Sequence, residues 1–364
     1  MRMLRGTSFV AATLAVVATL GGCYQGGSGS SDKNGHGAKV GAATAPKPAP
    51  FNQGPVKIAL VRQSGAGDYF QQWGSGANQQ AKPIGFDMQV YDAQADNAKQ
   101  ATDMQAAIDS GVAGIIVDHG LADTMNPLID KALAKGIPVA VYDVTVTNKD
   151  AVVTHQSDQD MAKLVLDVMA KNVGKGASVG YCNVLGIAPL DRRNTVWEQY
   201  VRDQAWQRKF FVGKFTNAVA TDNAQLVDAA LKANPEVKAI FSPYDELAKG
   251  TVVAVRNNNL ADKVKVYGID ISNADIDVMS RAGSPWVATA ATDPAAVGAA
   301  VVRTMALKLA GQLGQQDVTF PAMLITQQML RDKKITNMVD LRAQLTGLKL
   351  ADVSSAPWIP TLTF

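Results

Sequence analysis

Lys135-Gly-Ile-Pro-Val-Ala-Val-Tyr-Asp143 holds the fold in miniature. Residues 125–135 read as a helix that Gly136 stops. Residues 137–142 are an apolar run of the kind a parallel sheet buries on both faces, and Asp143 ends it with a charge. The unit repeats in both directions. Upstream, strands are predicted at 56–61, 88–91 and 114–117, with helices at 69–84 and 97–110. In the second of those helices Ala101, Met104, Ala107 and Ile108 recur at three- and four-residue spacing. Downstream, helices at 161–173, 194–207, 223–234, 248–257, 274–281 and 295–309 alternate with strands at 179–184, 210–215, 239–241, 264–269 and 287–291. Such alternation predicts βαβ units and parallel sheets. About ten units overfill one open sheet, so the expected fold is α/β with two doubly wound, Rossmann-like lobes.

Bulk composition agrees. The 364 residues suit two domains with something added, and 47% hydrophobic residues can fill a large core. The net charge of +3 comes from 35 basic and 32 acidic residues, a balance that gives no reason to expect nucleic acid or an anionic membrane surface as partner. Only Cys23 and Cys182 occur, so no internal disulfide is expected. Cys182, in Val179-Gly-Tyr-Cys-Asn-Val184, reads as a small buried hydrophobe. Arg2 and Arg5 precede a run, 7–22, of apolar and small residues that is too short to span a bilayer, which predicts a signal peptide over 1–22. Leu20-Gly-Gly-Cys23 resembles a bacterial lipobox, which implies cleavage before Cys23 and acylation of its thiol. Residues 24–54, rich in Gly, Ser, Lys, Ala and Pro, are expected to form a flexible linker.

An enzyme is not expected. The sequence has no Gly-x-Ser-x-Gly elbow, Walker loop or dinucleotide fingerprint. His119 and His155 are too few and too separated for a metal cluster, and nothing calls for a cofactor. Asp118-His119 reads as a polar strand end at a cleft rim, and Asp245-Glu246 as charge at a helix N-terminus and cleft lining. In doubly wound sheets ligands bind beyond the carboxyl ends of the strands. Polar and aromatic residues gather there: 63–69, Asp118, Asp143, 186–193, 242–245, Asp270 and Thr292-Asp293.

These strand ends, taken in order, resemble the periplasmic sugar-binding proteins of the ribose-binding type, the solute receptors of ABC importers. The resemblance runs from Lys57 to about Thr326. It is carried by Ala59-Leu-Val-Arg62 with Asp68-Tyr-Phe70, Asp96-Asn-Ala-Lys-Gln100 with Met104-Gln-Ala-Ala-Ile108, Gly136–Asp143, Gln156-Ser-Asp158, Asp191-Arg-Arg-Asn-Thr-Val-Trp197, Phe241-Ser-Pro-Tyr-Asp-Glu246 and Tyr267-Gly-Ile-Asp270. It implies lobes joined by three crossings, near 154–157, 290–293 and 324–326, that close over ligand by hinge motion. The lobes would then be 55–156 with 292–325, and 157–291 with 326–364 and its tail, in which 337–347 reads as helical. The lac-repressor type shares this core, but no helix-turn-helix precedes it here.

The same resemblance implies the ligand contacts. Asp143 and Asp270 would accept hydroxyl pairs, Arg193 would donate, with Arg192 an alternative, and Tyr69 and Phe70 would clasp the ring. Trp73, Asp68 and Gln63 are weaker neighbours, and Asp158 reads rather as a helix cap. Val144, Tyr244, Ile269 and Thr292 depart from the ribose pattern; Tyr244 and Thr292 are expected to contact the ligand, and ribose itself is not expected. The implied role is capture of a small sugar or polyol by a monomer held to the membrane only by its lipid, in the periplasm or on the outer face of the cytoplasmic membrane. The partner is an ABC permease or, alternatively, a sensor kinase or chemoreceptor.

Overall fold

The computed structural model describes residues 38–364; the predicted signal peptide, Cys23 and the first part of the expected linker lie outside the described residues. After a short strand β1 (Lys39–Val40), the first lobe runs β2 (Val56–Arg62), α1 (Asp68–Ile84), β3 (Phe86–Asp92), α2 (Asn97–Asp109), β4 (Gly114–Asp118), α3 (Ala122–Ala134), β5 (Val139–Tyr142) and β6 (Val152–Gln156). The second lobe takes α4 (Asp158–Val173), β7 (Ser178–Cys182), α5 (Ala188–Asp203), β8 (Gln207–Val212), α6 (Val219–Ala233), β9 (Ala239–Ser242), α7 (Asp245–Asn257), β10 (Lys265–Ile269), α8 (Asn273–Ser280) and β11 (Trp286–Ala291). The chain returns to the first lobe for α9 (Pro294–Leu309) and β12 (Asp317–Phe320). It then crosses again for β13 (Met323–Thr326), α10 (Gln327–Asp332) and α11 (Met338–Gln344), and ends at β14 (Leu362–Thr363).

Each lobe is a six-stranded sheet between helical layers. The first has the order β12-β6-β5-β4-β2-β3, all parallel; the second has β13-β11-β10-β9-β7-β8, with β13 antiparallel at its edge. Central strands are buried on both faces: in β4 every residue is buried, and Ile116 pairs in register with Leu60 and Ala140. Helices α2 and α3 cover one face of the first sheet, and α1 and α9 the other. Helices α1 and α9 pack backbone to backbone because Gly76 and Gly298 lack side chains. A Cβ on Gly76 would lie 1.9 Å from the Ala295 carbonyl oxygen, and one on Gly298 2.1 Å from that of Trp73. Cys182 is buried, and burial pushes its thiol up to about 12.

Three differences from the sequence reading bear on how the lobes and termini connect. The third crossing runs from Phe320 to Met323, ahead of the expected 324–326, because Leu324 and its neighbours pair with β11 in the second sheet. Helix α5 begins at Ala188 rather than 194, started by Pro189 in its first turn. The linker is not free along its expected length: β1 pairs antiparallel with β14, and buried Phe51 meets Phe86 edge-on, 5.2 Å between centroids, and Trp358 at a tilt of 32°, 5.0 Å between centroids. The tail makes this possible by crossing back to the first lobe. Arg303 of α9 donates to the carbonyls of Leu350 and Val353, and Gln80 of α1 donates to that of Pro360.

Candidate ligand-binding site

The carboxyl ends of both sheets face each other across the cleft, and their last residues are conformationally unusual. His119, Asp143 and Asp270 close β4, β5 and β10 with φ of 59°, 55° and 76°. Non-glycine residues in this left-handed region are uncommon and concentrate at functional sites. Asp and His are among the side chains that tolerate it, which explains why these strand ends carry them.

In the first lobe, Arg62 organises the wall. Its Nε donates to Asp118 Oδ2 at 2.7 Å and its Nη2 to the Phe70 carbonyl at 2.7 Å, while the guanidinium lies 5.4 Å over the Trp73 ring. This fixes the first turn of α1 and so aims Tyr69 and Phe70 at the cleft. Burial opposes the charge on Asp118, but Arg62 and His119 outweigh it and hold the carboxyl below its usual range. His119 Nδ1 pairs with Asp118 Oδ1 at 2.8 Å, and its ring meets Phe70 edge-on at 5.0 Å. Tyr69 and Tyr142 share a hydroxyl–hydroxyl hydrogen bond. Burial, then the nearby Asp270 and Asp143, keeps Tyr69 protonated well above its ordinary range.

In the second lobe, the start of α5 brings two arginines to one carboxylate. Arg193 Nε donates to Asp158 Oδ1 at 2.8 Å and Arg192 Nε to Asp158 Oδ2 at 2.7 Å. Asp158, the first residue of α4, therefore holds the arginines. Arg193 also donates to the Pro243 carbonyl at 2.6 Å and reaches Asp270 Oδ2 at 3.5 Å. Asp270 keeps Oδ1 without a hydrogen-bond partner. Its carboxyl is pushed up to about 6 by burial, with Asp158, Asp275 and Asp143 adding to the effect against Arg193.

Of the residues singled out from sequence, Tyr69, Phe70, Arg193, Tyr244 and Asp270 line one cavity, which with the solvent at its mouth encloses about 400 Å³. Asp143 lies behind it: Oδ1 accepts from Arg192 Nη2 of the opposite lobe at 2.5 Å, and Oδ2 is unpartnered, 3.9 Å from His119 Nε2. Thr292 belongs to the hinge. It is wholly buried, donates to Gln156 Oε1 at 2.7 Å between the first two crossings, and does not line the cavity. Trp73 stacks on Tyr142 one layer beneath. Gln63, His119 and Gln156 add polar groups to the wall. Ile187, Pro189 and Leu190, within the 186–193 strand end, and Phe215, which the sequence reading placed in a strand and not at the site, add apolar groups to the cavity lining. Among the described residues, no group of three or more His, Cys, Asp or Glu side chains is arranged to hold a metal ion.

Comparison with known proteins agrees with this architecture. Residues 58–313 match the periplasmic binding protein domain family. The ribose import binding protein of Escherichia coli is 27% identical over 281 residues, 74% of this chain and 90% of that protein. Its Bacillus subtilis counterpart is 24% identical over 283 residues, 77% and 91% of the two chains. A solved 5-methylthioribose transporter solute-binding protein from Thermotoga lettingae, in complex with 5-methylthioribose, is 34% identical with a TM-score of 0.82, covering 85% of this chain and 98% of that one. A sugar ABC transporter protein from Yersinia enterocolitica superposes with a TM-score of 0.83 at 28% identity, covering 87% and 98%. The chain belongs to the periplasmic binding protein domain family, and it is an extracytoplasmic, non-enzymatic solute-binding protein of a sugar ABC importer.

Proposed function

We propose that the ligand is a pentose carrying an apolar substituent, with 5-methylthioribose as its type. The observation that carries this is the mixed polar and apolar lining of the cavity. Asp270, Arg193, Gln63, Gln156 and His119 offer acceptors and donors for hydroxyls, whereas Ile187, Pro189, Leu190 and Phe215 offer none. A sugar with a hydroxyl on every carbon would leave one of its own polar groups unpaired against that wall, at a cost of about 1–3 kcal/mol. A thioether or methyl group there gains by burial instead, at about 25 cal/mol per Å². The 5-methylthioribose complex of the Thermotoga lettingae protein supports the same choice.

In this reading Asp270 accepts from a hydroxyl pair through its unpartnered oxygen, Arg193 donates, and Tyr69, Phe70 and Tyr244 cover the ring. Asp143 and Thr292 act from behind, through Arg192 and Gln156. The protein works as a monomer, hands its ligand to an ABC permease, and is held at the membrane by an acylated Cys23. Isothermal titration of the full chain with 5-methylthioribose, ribose, arabinose and allitol tests the ligand assignment. The expected order puts 5-methylthioribose ahead of ribose by about tenfold or more. Ribose binding as tightly or more tightly would overturn it.

A further inference from the structure

Away from the cavity, a second set of contacts joins the lobes at the mouth of the cleft. Lys249 on α7 extends its ammonium to Asp68 Oδ2 of the opposite lobe at 2.5 Å and to Glu246 Oε1 at 2.7 Å. The same Glu246 oxygen accepts from the Asp68 backbone N–H at 3.2 Å. The approach depends on Gly67, which has φ of +91° and whose missing Cβ would lie 3.1 Å from Glu246 Oε1. Beneath lie Asp245 and Asp275, both wholly buried, 3.9 and 3.6 Å from the Lys249 ammonium. Asp245 Oδ2 and both carboxylate oxygens of Asp275 have no hydrogen-bond partner.

Four carboxylates from two lobes thus surround one cation. Burial disfavours the ammonium, but Asp245, Asp275 and Glu246 outweigh it and hold Lys249 charged far above its usual range. Within the second lobe alone the cation is already committed to α7 and α8. Asp68 meets it only when the lobes are shut, and the bond from the Asp68 backbone N–H to Glu246 forms only then, whereas the Lys249–Glu246 bond lies within α7.

We propose that Asp68, Glu246 and Lys249 are positioning residues that latch the closed lobes and set the rate at which a bound sugar leaves, without touching the sugar. None of the three lines the inner cavity. A bond between ionised partners strengthens the closed state selectively, and because Asp68 is about a third exposed the gain is discounted for screening. The kinetic consequence rests on the sugar-capture reading, but the latch itself is testable in sugar-free protein.

The test uses full-length chains carrying Asp68→Asn, Asp68→Glu or Gly67→Ala. Small-angle scattering of the sugar-free protein should show a larger radius of gyration for Asp68→Asn and Gly67→Ala than for wild type. Added salt at about 1 M, where screening reaches within about 3 Å, should move wild type the same way. Stopped-flow release of 5-methylthioribose should quicken about five- to tenfold in Asp68→Asn and recover in Asp68→Glu, which keeps the charge. The unfolding midpoint of Asp68→Asn should stay within about 2 °C of wild type, as a surface change requires. Unchanged scattering and release in Asp68→Asn would overturn the latch, and that variant decides the matter if Gly67→Ala does not fold. If wild type does not bind 5-methylthioribose, the ligand assignment fails and scattering alone decides the latch.

Discussion

Lowering the pH should weaken sugar binding through Asp270, and the structure sets both the sign and the size. Burial of this carboxyl, with Asp158, Asp275 and Asp143 nearby, raises it from 3.8 to about 6 despite Arg193. In the sugar-free protein the protonated form is therefore favoured, and the stability it contributes is present at acid pH and lost as pH rises from 3.8 through about 6. Binding runs the other way, because hydroxyl donors need the ionised oxygens. At pH 5, one unit below the midpoint, about a tenth of the sites are ionised, so affinity should fall about tenfold from pH 7.5, or about 1.4 kcal/mol. Titration calorimetry at the two pH values, repeated in buffers of different ionisation enthalpy, would report both the loss and the proton released on binding at pH 5. Asp270→Asn should bind weakly, by about 2–3 kcal/mol for a charged acceptor replaced, and without this pH dependence. A wild-type affinity that is flat between pH 7.5 and 5, or an equal slope in Asp270→Asn, would refute the reasoning.

Three further outcomes follow from packing and charge. Arg193→Met removes the cation shared by Asp158 and Asp270 and should cost about 3–5 kcal/mol of stability, read as a lower urea midpoint, as well as abolishing sugar binding. Phe51→Ala empties the aromatic contact with Phe86 and Trp358 and should cost about 3–5 kcal/mol by the same assay; a change under about 0.5 kcal/mol would mean that the segment before β2 does not dock in solution. Gly76→Ala drives a methyl group into the Ala295 carbonyl and should lower the melting temperature sharply, while Gly111→Ala, where a Cβ meets nothing, should be affected only through its φ of +71°.

How much of this was legible in sequence depended on the range of the interaction that decided each feature. The central strands of both sheets showed through because buried parallel strands write their environment into consecutive residues, as in Gly114–Asp118, whereas β6, β12 and β13 at the crossings were not read as strands. Asp270 was legible for a related reason, since a charge at the end of an apolar run needs a partner or a ligand and Arg193 is near it, whereas Arg193 itself, inside α5, was singled out only through the resemblance. The apolar wall was not legible, since Ile187 and Phe215 lie in loops after β7 and β8 whose direction is set by the lobe they pack on, not by their own composition. Thr292 was ambiguous because a hydroxyl beside a strand end serves a hinge or a ligand equally well; its bond to Gln156, from a different crossing, is visible only in the structure. Residues 38–54 had the composition of a tether, and they are ordered because their partners come from the far end of the chain. A segment too polar to fold alone can still add a strand and one aromatic ring to a surface already built, because the lobe has met most of the entropic cost of order. Composition therefore predicts whether such a segment folds by itself, and the sequence of the segment alone carries no information about whether it docks.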